Sequence, residues 1–287
     1  METQIFKLDR DVVLDIFLIN ADMECATEDR FPAVHTLRHT SQVCSAWRDL
    51  ILSSPSLWAR VIDFNFLHDG RWRKEVLNRT GGYSLSVRGG TADQEVVIPF
   101  LAENWLRIRC LTLSFVSSSS ENFKKDTGLW NLLARPANVL ESFQLSLRTT
   151  ELDYWAAQPI FSPPDFTLFD NQAPLLKSFS AWGINSDIGA DWALHLRHLE
   201  VSHPTPIHGL LEAFSHLPLL ESLLVKERGC HAIVRRDVER SLTQNCGAAT
   251  KKYRDLLENG YHMLHGLPCP TRARLWPCID LRQQYQC

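Results

Sequence analysis

Apolar positions at the start of the chain keep helical spacing. Leu8, Val12, Val13, Ile16 and Phe17 follow one another at steps of one, three and four, and Asp9 is placed to cap the helix they predict. Asp9 and Asp11 suit the positive end of its dipole. Polar residues around Pro32 predict a loop over 20–34. A second helix is expected from about Thr36 to Leu52, with Leu37, Thr40, Cys44, Trp47 and Ile51 on one face. Ser54-Pro55 then reads as a helix start, with the serine oxygen capping and proline where its missing N–H costs nothing.

Beyond residue 60 the pattern changes to a recurring unit, apolar-x-x-apolar-x-apolar. It starts at Ile108, Leu140, Leu176, Leu196 and Leu220, and its fourth positions are 32, 36, 20 and 24 residues apart. Three copies open almost identically: Leu140-Glu141-Ser142-Phe143, Leu176-Lys177-Ser178-Phe179 and Leu220-Glu221-Ser222-Leu223. Tyr83-Ser84-Leu85-Ser86-Val87 is a degenerate earlier copy. Alternation within each unit predicts a strand, and strands near 85–87, 108–113, 141–145, 177–181, 197–201 and 221–225 are expected to lie parallel in chain order. Helical patterns fill gaps at Asp69–Leu77, Thr127–Ala134 and Ile207–Leu217.

Two stretches interrupt the units. Ser117–Asp126 reads as a polar loop. Residues 149–174 combine four prolines with Tyr154, Trp155, Phe161, Phe166 and Phe169. That insertion either offers binding anchors or folds back as a lid of core residues. After Val225 no further unit is evident. Ala232–Leu242 and Ala248–Leu264 read as helices, and 266–287 as a proline-containing tail.

The opening sixty residues resemble an F-box, in the F-box-like form abundant in fungal proteins with leucine-rich repeats. The resemblance is carried by Leu8-x-x-Asp11-Val12-Val13-x-x-Ile16-Phe17, by Val43-Cys44-x-x-Trp47-Arg48-Asp49 and by Ser54-Pro55-Ser56-Leu57-Trp58. The usual Leu-Pro opening is replaced by Leu8-Asp9. The recurring strand unit resembles a leucine-rich repeat, without the consensus Asn or Cys that follows the strand. Together they imply an α/β chain with three parts. An F-box-like helical module occupies 1–60 and an irregular leucine-rich-repeat solenoid with parallel strands and outer helices 61–227. A basic, partly helical extension covers 228–287.

Composition fits this picture. Of 287 residues, 45% are apolar and 22% charged, which suits a folded domain. The net charge of -3 gives no field that would gather nucleic acid, and no run of 18 apolar residues spans a membrane. Eight scattered cysteines without Cys-x-x-Cys, and an N-terminus unlike a signal peptide, point to reduced thiols in the cytoplasm or nucleus. Phosphate-loop, dinucleotide and nucleophile-elbow motifs are absent. His262-x-x-His265-x-x-x-Cys269 matches no compact zinc spacing. No cofactor, metal or catalytic residue is expected.

The resemblance implies a substrate-recognition adaptor of an SCF-type ubiquitin ligase. Leu8, Val12, Val13, Ile16, Phe17, Val43, Trp47, Pro55, Leu57 and Trp58 would form or support the surface that binds the SKP-family linker and, through it, cullin. An unknown protein substrate would lie on the open strand face, where Arg109, Gln144, Trp182, His198 and Glu200 alternate with core residues. Arg148 would flank that face, and Tyr154 and Trp155 would stand at its rim. The alternative is a scaffold outside any ligase, whose F-box-like segment packs on its own repeats.

Overall fold

The computed structural model describes residues 8–23, 32–150, 160–202, 217–227 and 230–235. The chain divides into two compact units, 1–236 and 237–287, and every described residue belongs to the first. Helix α1 spans Arg10–Asn20, and the Asp9 carboxylate accepts the Asp11 amide at 2.9 Å. The helix expected over 36–52 is two helices, α2 (Ala33–Thr40) and α3 (Ser45–Leu52). They break where the Ser41 hydroxyl donates to the Arg38 carbonyl at 2.6 Å and Cys44 turns extended. Cys44 therefore precedes α3 instead of sharing a helix face with Trp47. Leu37 and Ile51 still both reach the core. Helix α4 (Pro55–Trp58) begins at proline as expected, but Ser54 does not cap it. Its hydroxyl donates back to the Leu50 carbonyl at 2.6 Å.

Strand β1 (Ile62–Asp63) leads to α5 (Gly70–Arg79). Asp69 caps α5 by accepting the Trp72 amide at 2.7 Å, and past its end Gly81 takes φ 53°. Next come β2 (Leu85–Gly90), α6 (Gln94–Asn104) and β3 (Ile108–Ser117). Within the stretch read as a polar loop, α7 (Ser120–Lys125) forms. The Ser119 side chain caps it, and buried Phe123 pins it to the core. Helix α8 (Thr127–Leu133) precedes β4 (Ser142–Thr149), β5 (Ser178–Trp182), β6 (His198–Ser202) and β7 (Ser222–Glu227). Residues 207–216 of the last expected helix, and the segments 236–264 and 266–287, lie outside the described residues.

Strands β1 to β7 pair parallel in chain order, so the chain is α/β with a seven-stranded parallel sheet. An eighth strand, β8 (Cys230–Arg235), closes the described sheet antiparallel to β7. The helix expected from Ala232 therefore gives way to a strand over its first four residues. The free edge of β7 would offer unpaired backbone groups, and antiparallel pairing with β8 satisfies them.

Buried residues stand in register across the sheet. Leu111, Phe143, Phe179 and Leu199 pair in one row, and Leu113, Leu145, Ala181 and Val201 in the next. Helices cover this side between the early strands. Toward β6 they shrink to 3-10 turns at Leu168–Asn171 and Asp191–Ala193. The described part of the proline–aromatic insertion sends its aromatics into the core while its prolines stay exposed. Phe161 and Phe169 are fully buried, and Phe166 packs edge-on against Trp130 with centroids 5.3 Å apart. Phe169 meets Phe143, Trp105 and Trp192.

Candidate functional site: an apolar helix stripe and an open strand face

Helix α1 is apolar on two sides. Val13 and Phe17 point inward, and Phe17 meets the Trp47 ring edge-on at 5.1 Å. Val12, Ile16 and Ile19 form a second stripe at i, i+4 and i+7, with exposures of 47%, 43% and 73%. Leu8 and Val43 are exposed as well. Between α1 and α3 runs a groove lined by Leu8, Val13, Ala46, Trp47 and Leu50, with Arg10 and Asp49 at its polar edge.

The structure thus sorts the ten residues expected at the linker surface. Leu8, Val12, Ile16 and Val43 face solvent, while Trp47 and Pro55 are half-buried. Val13, Phe17, Leu57 and Trp58 are buried and support the module from within. Trp58 donates its indole N–H to the Ile51 carbonyl at 2.9 Å, stands edge-on to Trp72 and carries the Arg79 guanidinium at 4.8 Å. Its docking role could only be indirect. Ile19 belongs to the exposed stripe but lies past the motif residues that direct attention to α1.

On the sheet, the residues alternating with the core line up in rows across strands. One row runs Ser86, Cys110, Ser142, Ser178, His198 and Ser222. Its neighbour runs Arg88, Thr112, Gln144, Ser180, Glu200 and Leu224. Trp182 pairs with Ser146 in a third, shorter row. His198 Nδ1 lies 2.8 Å from the Ser222 hydroxyl, which ties the first row together at its far end. Arg148 is exposed farther along β4 and donates to the Ser114 hydroxyl at 3.4 Å. Gln144 and His198 are exposed, while Trp182 and Glu200 are half-buried. Tyr154 and Trp155 lie outside the described residues.

Arg109 departs from the expected alternation. The register shifts between Leu85 and Ser86, so Ile108 pairs with Leu85, Cys110 with Ser86, and Arg109 is the extra residue of a bulge. Cys110 takes the row position instead. The unit's own spacing carried the signal, because two residues separate Ile108 from Leu111 where strict alternation allows one. Arg60 and Arg88, which the repeat pattern did not select, also border this face. Extending the alternation of Ser86 by two residues reaches Arg88.

At the β1 end of the second row, where Asp63 pairs with Arg88, lies a buried polar knot. The Asp63 carboxylate accepts the Asn65 backbone amide at 3.0 Å and its side-chain amide at 2.9 Å, and Arg88 stands 3.9 Å away. Burial pushes the Asp63 carboxyl above its ordinary value, outweighing the opposing pull of Arg88 and of the Asn65 hydrogen bonds. Arg88 also donates to the Met23 carbonyl at 2.7 Å, and the Ser86 amide to the Ala59 carbonyl at 2.8 Å. These two bonds join the helical module to the sheet.

The chain matches no family model, no curated protein and no solved structure. Among the described residues no three His, Cys, Asp or Glu side chains gather as a metal site, and no helix is long and apolar enough to cross a membrane.

Proposed function

We propose that the chain is a substrate-recognition adaptor of an SCF-type ubiquitin ligase, acting in the cytoplasm or nucleus. The F-box-like module binds the SKP-family linker and, through it, cullin. The strand units, of the leucine-rich-repeat class in an irregular solenoid, hold a protein substrate on their open face. The observation that carries this reading is the second apolar stripe of α1. A helix apolar on two sides needs a partner on each, and only one side is filled from within the described chain. The exposed stripe and the adjoining groove suit an apolar helical partner. The adaptor performs no bond chemistry. It raises the local concentration of a substrate lysine beside the charged ubiquitin carrier.

The competing reading, a scaffold outside any ligase, draws on the Met23–Arg88 and Ala59–Ser86 bonds, which fasten the module to its own sheet. Those contacts leave Val12, Ile16 and Ile19 uncovered. Co-purification with the SKP-family linker separates the two. The wild-type chain is expected to retain the linker, and the Val12→Asp/Ile16→Asp variant to lose it. Equal retention by both would overturn the adaptor reading in favour of the scaffold.

A further inference from the structure

At the junction of module and sheet the open face sinks into a recess lined by Arg60, Arg88 and Arg109, with Ser86, Thr112 and Asp22 completing its wall. Arg60 lies two residues past the end of α4, next to the backbone bond that ties Ala59 to Ser86. Arg88 rises from β2, and the bulge in β3 adds Arg109 beside it. Their charges are not equally engaged. Arg88 is held by the Met23 carbonyl and faces buried Asp63. Among the described residues, Arg60 and Arg109 have no hydrogen-bond or ion-pair partner for their guanidinium groups, and both are half-buried. Two uncommitted guanidinium groups thus stand in the wall of the recess, available to an anionic group.

Size narrows the ligand further. The recess has a volume of about 90 Å3, well below the roughly 300–1,000 Å3 of pockets that enclose small molecules. It fits a charged head group whose bearer lies outside, on the strand face. We infer that this recess is a carboxylate site: Arg60 and Arg109 hold one Asp or Glu side chain, or the terminal carboxylate, of a protein segment laid across the strands. A guanidinium fork suits a planar carboxylate through two parallel hydrogen bonds, and the Ser86 and Thr112 hydroxyls add donors at the wall. Arg88 is already engaged by the Met23 carbonyl and by Asp63, so the ligand falls to the other two arginines. This assignment rests on reading the strand face as the surface that takes a protein partner.

Fluorescence anisotropy on the full chain tests it with three labelled, N-acetylated peptide pools. The first has a fixed central Glu and an amidated end, the second a central Gln and an amidated end, the third a central Gln and a free carboxyl end. At least one carboxylate-bearing pool is expected to bind ten-fold or more tightly than the amidated Gln pool, and which one does so identifies the carboxylate's source. Arg60→Gln and Arg109→Gln should each reduce that preference to less than three-fold, whereas Arg148→Gln should preserve it. Thermal melts of the variants should match the parent, which separates lost binding from lost fold. Equal binding of all three pools, or a preference that survives both recess variants, would overturn the assignment. So would a fourth pool, with a central phosphoserine and an amidated end, binding ten-fold tighter than the Glu pool, which would mark a phosphoryl site. Linker co-purification is read separately, so a failure here leaves the test of the adaptor reading intact.

Discussion

The Phe161 amide donates to the Gly183 carbonyl at 2.8 Å, while the Phe161 ring lies 2.8 Å from where a Cβ on Gly183 would stand. Gly183 takes φ 82° directly after β5, so the absence of a side chain serves both backbone shape and close approach. Gly183→Ala is expected to lower unfolding free energy by roughly 2–5 kcal/mol, combining left-handed backbone strain with overpacking. Urea denaturation measures it. A change below about 0.5 kcal/mol, the scale of an ordinary surface substitution, would show that the insertion does not dock here.

The two apolar sides of α1 and its neighbours should respond oppositely. Trp58→Ala removes a buried ring and its hydrogen bond to Ile51, so a loss of about 3–5 kcal/mol is expected. Val12→Asp should change stability by no more than about 0.5 kcal/mol, because the side chain already meets water. Thermal melts of the two variants compare them directly, and similar losses would contradict the sorting of core from surface.

Asp63 gives stability a specific pH dependence. Its carboxyl is raised above the ordinary 3.8 because burial disfavours the charged form. Below the unfolded value both states are protonated and the effect vanishes. As pH rises through the raised folded value, the fold must hold a desolvated carboxylate, and stability is lost. Asp63→Asn removes that charge, so its stability relative to the parent should be more favourable at about pH 7 than at about pH 3, with other groups cancelling. Denaturation at both pH values checks the sign. A pH-independent difference would show that burial does not govern this group.

Strand β5 tests which side of the sheet is filled. Phe179 is buried, stacks on Phe143 with centroids 5.6 Å apart and meets Trp192 at 4.7 Å. Phe179→Ala should cost about 3–5 kcal/mol. Its neighbour Ser180 lies on the open face, and Ser180→Ala should shift stability by at most about 0.5 kcal/mol. Deleting 152–168 does not isolate a binding loop, because it also removes buried Phe161 and Leu168. It is expected to abolish the cooperative thermal transition, and a deletion that melted like the parent would contradict the core role of this segment.

Period-two alternation by itself determined strands β2 to β7 and which of their residues face the core, because a parallel strand with one covered side must repeat every second residue. Capping chemistry at Asp9 likewise announced α1, and apolar spacing announced α5 and α8, whose caps at Asp69 and Asp126 the structure supplies. Helix α6 stayed hidden because Val96, Val97 and Ile98 favour strands and Pro99 interrupts helices. Burial of Val97 and Leu101 overrides those local preferences. The break at Ser41 and the cap lost at Ser54 depend on which carbonyl each hydroxyl finds once neighbouring turns have formed. Only tertiary structure could divide Val12 from Val13, since adjacent helical residues look alike until the core takes one side. Only it could gather Arg60, Arg88 and Arg109, because the bulge and the module–sheet joint join positions that no sequence period relates.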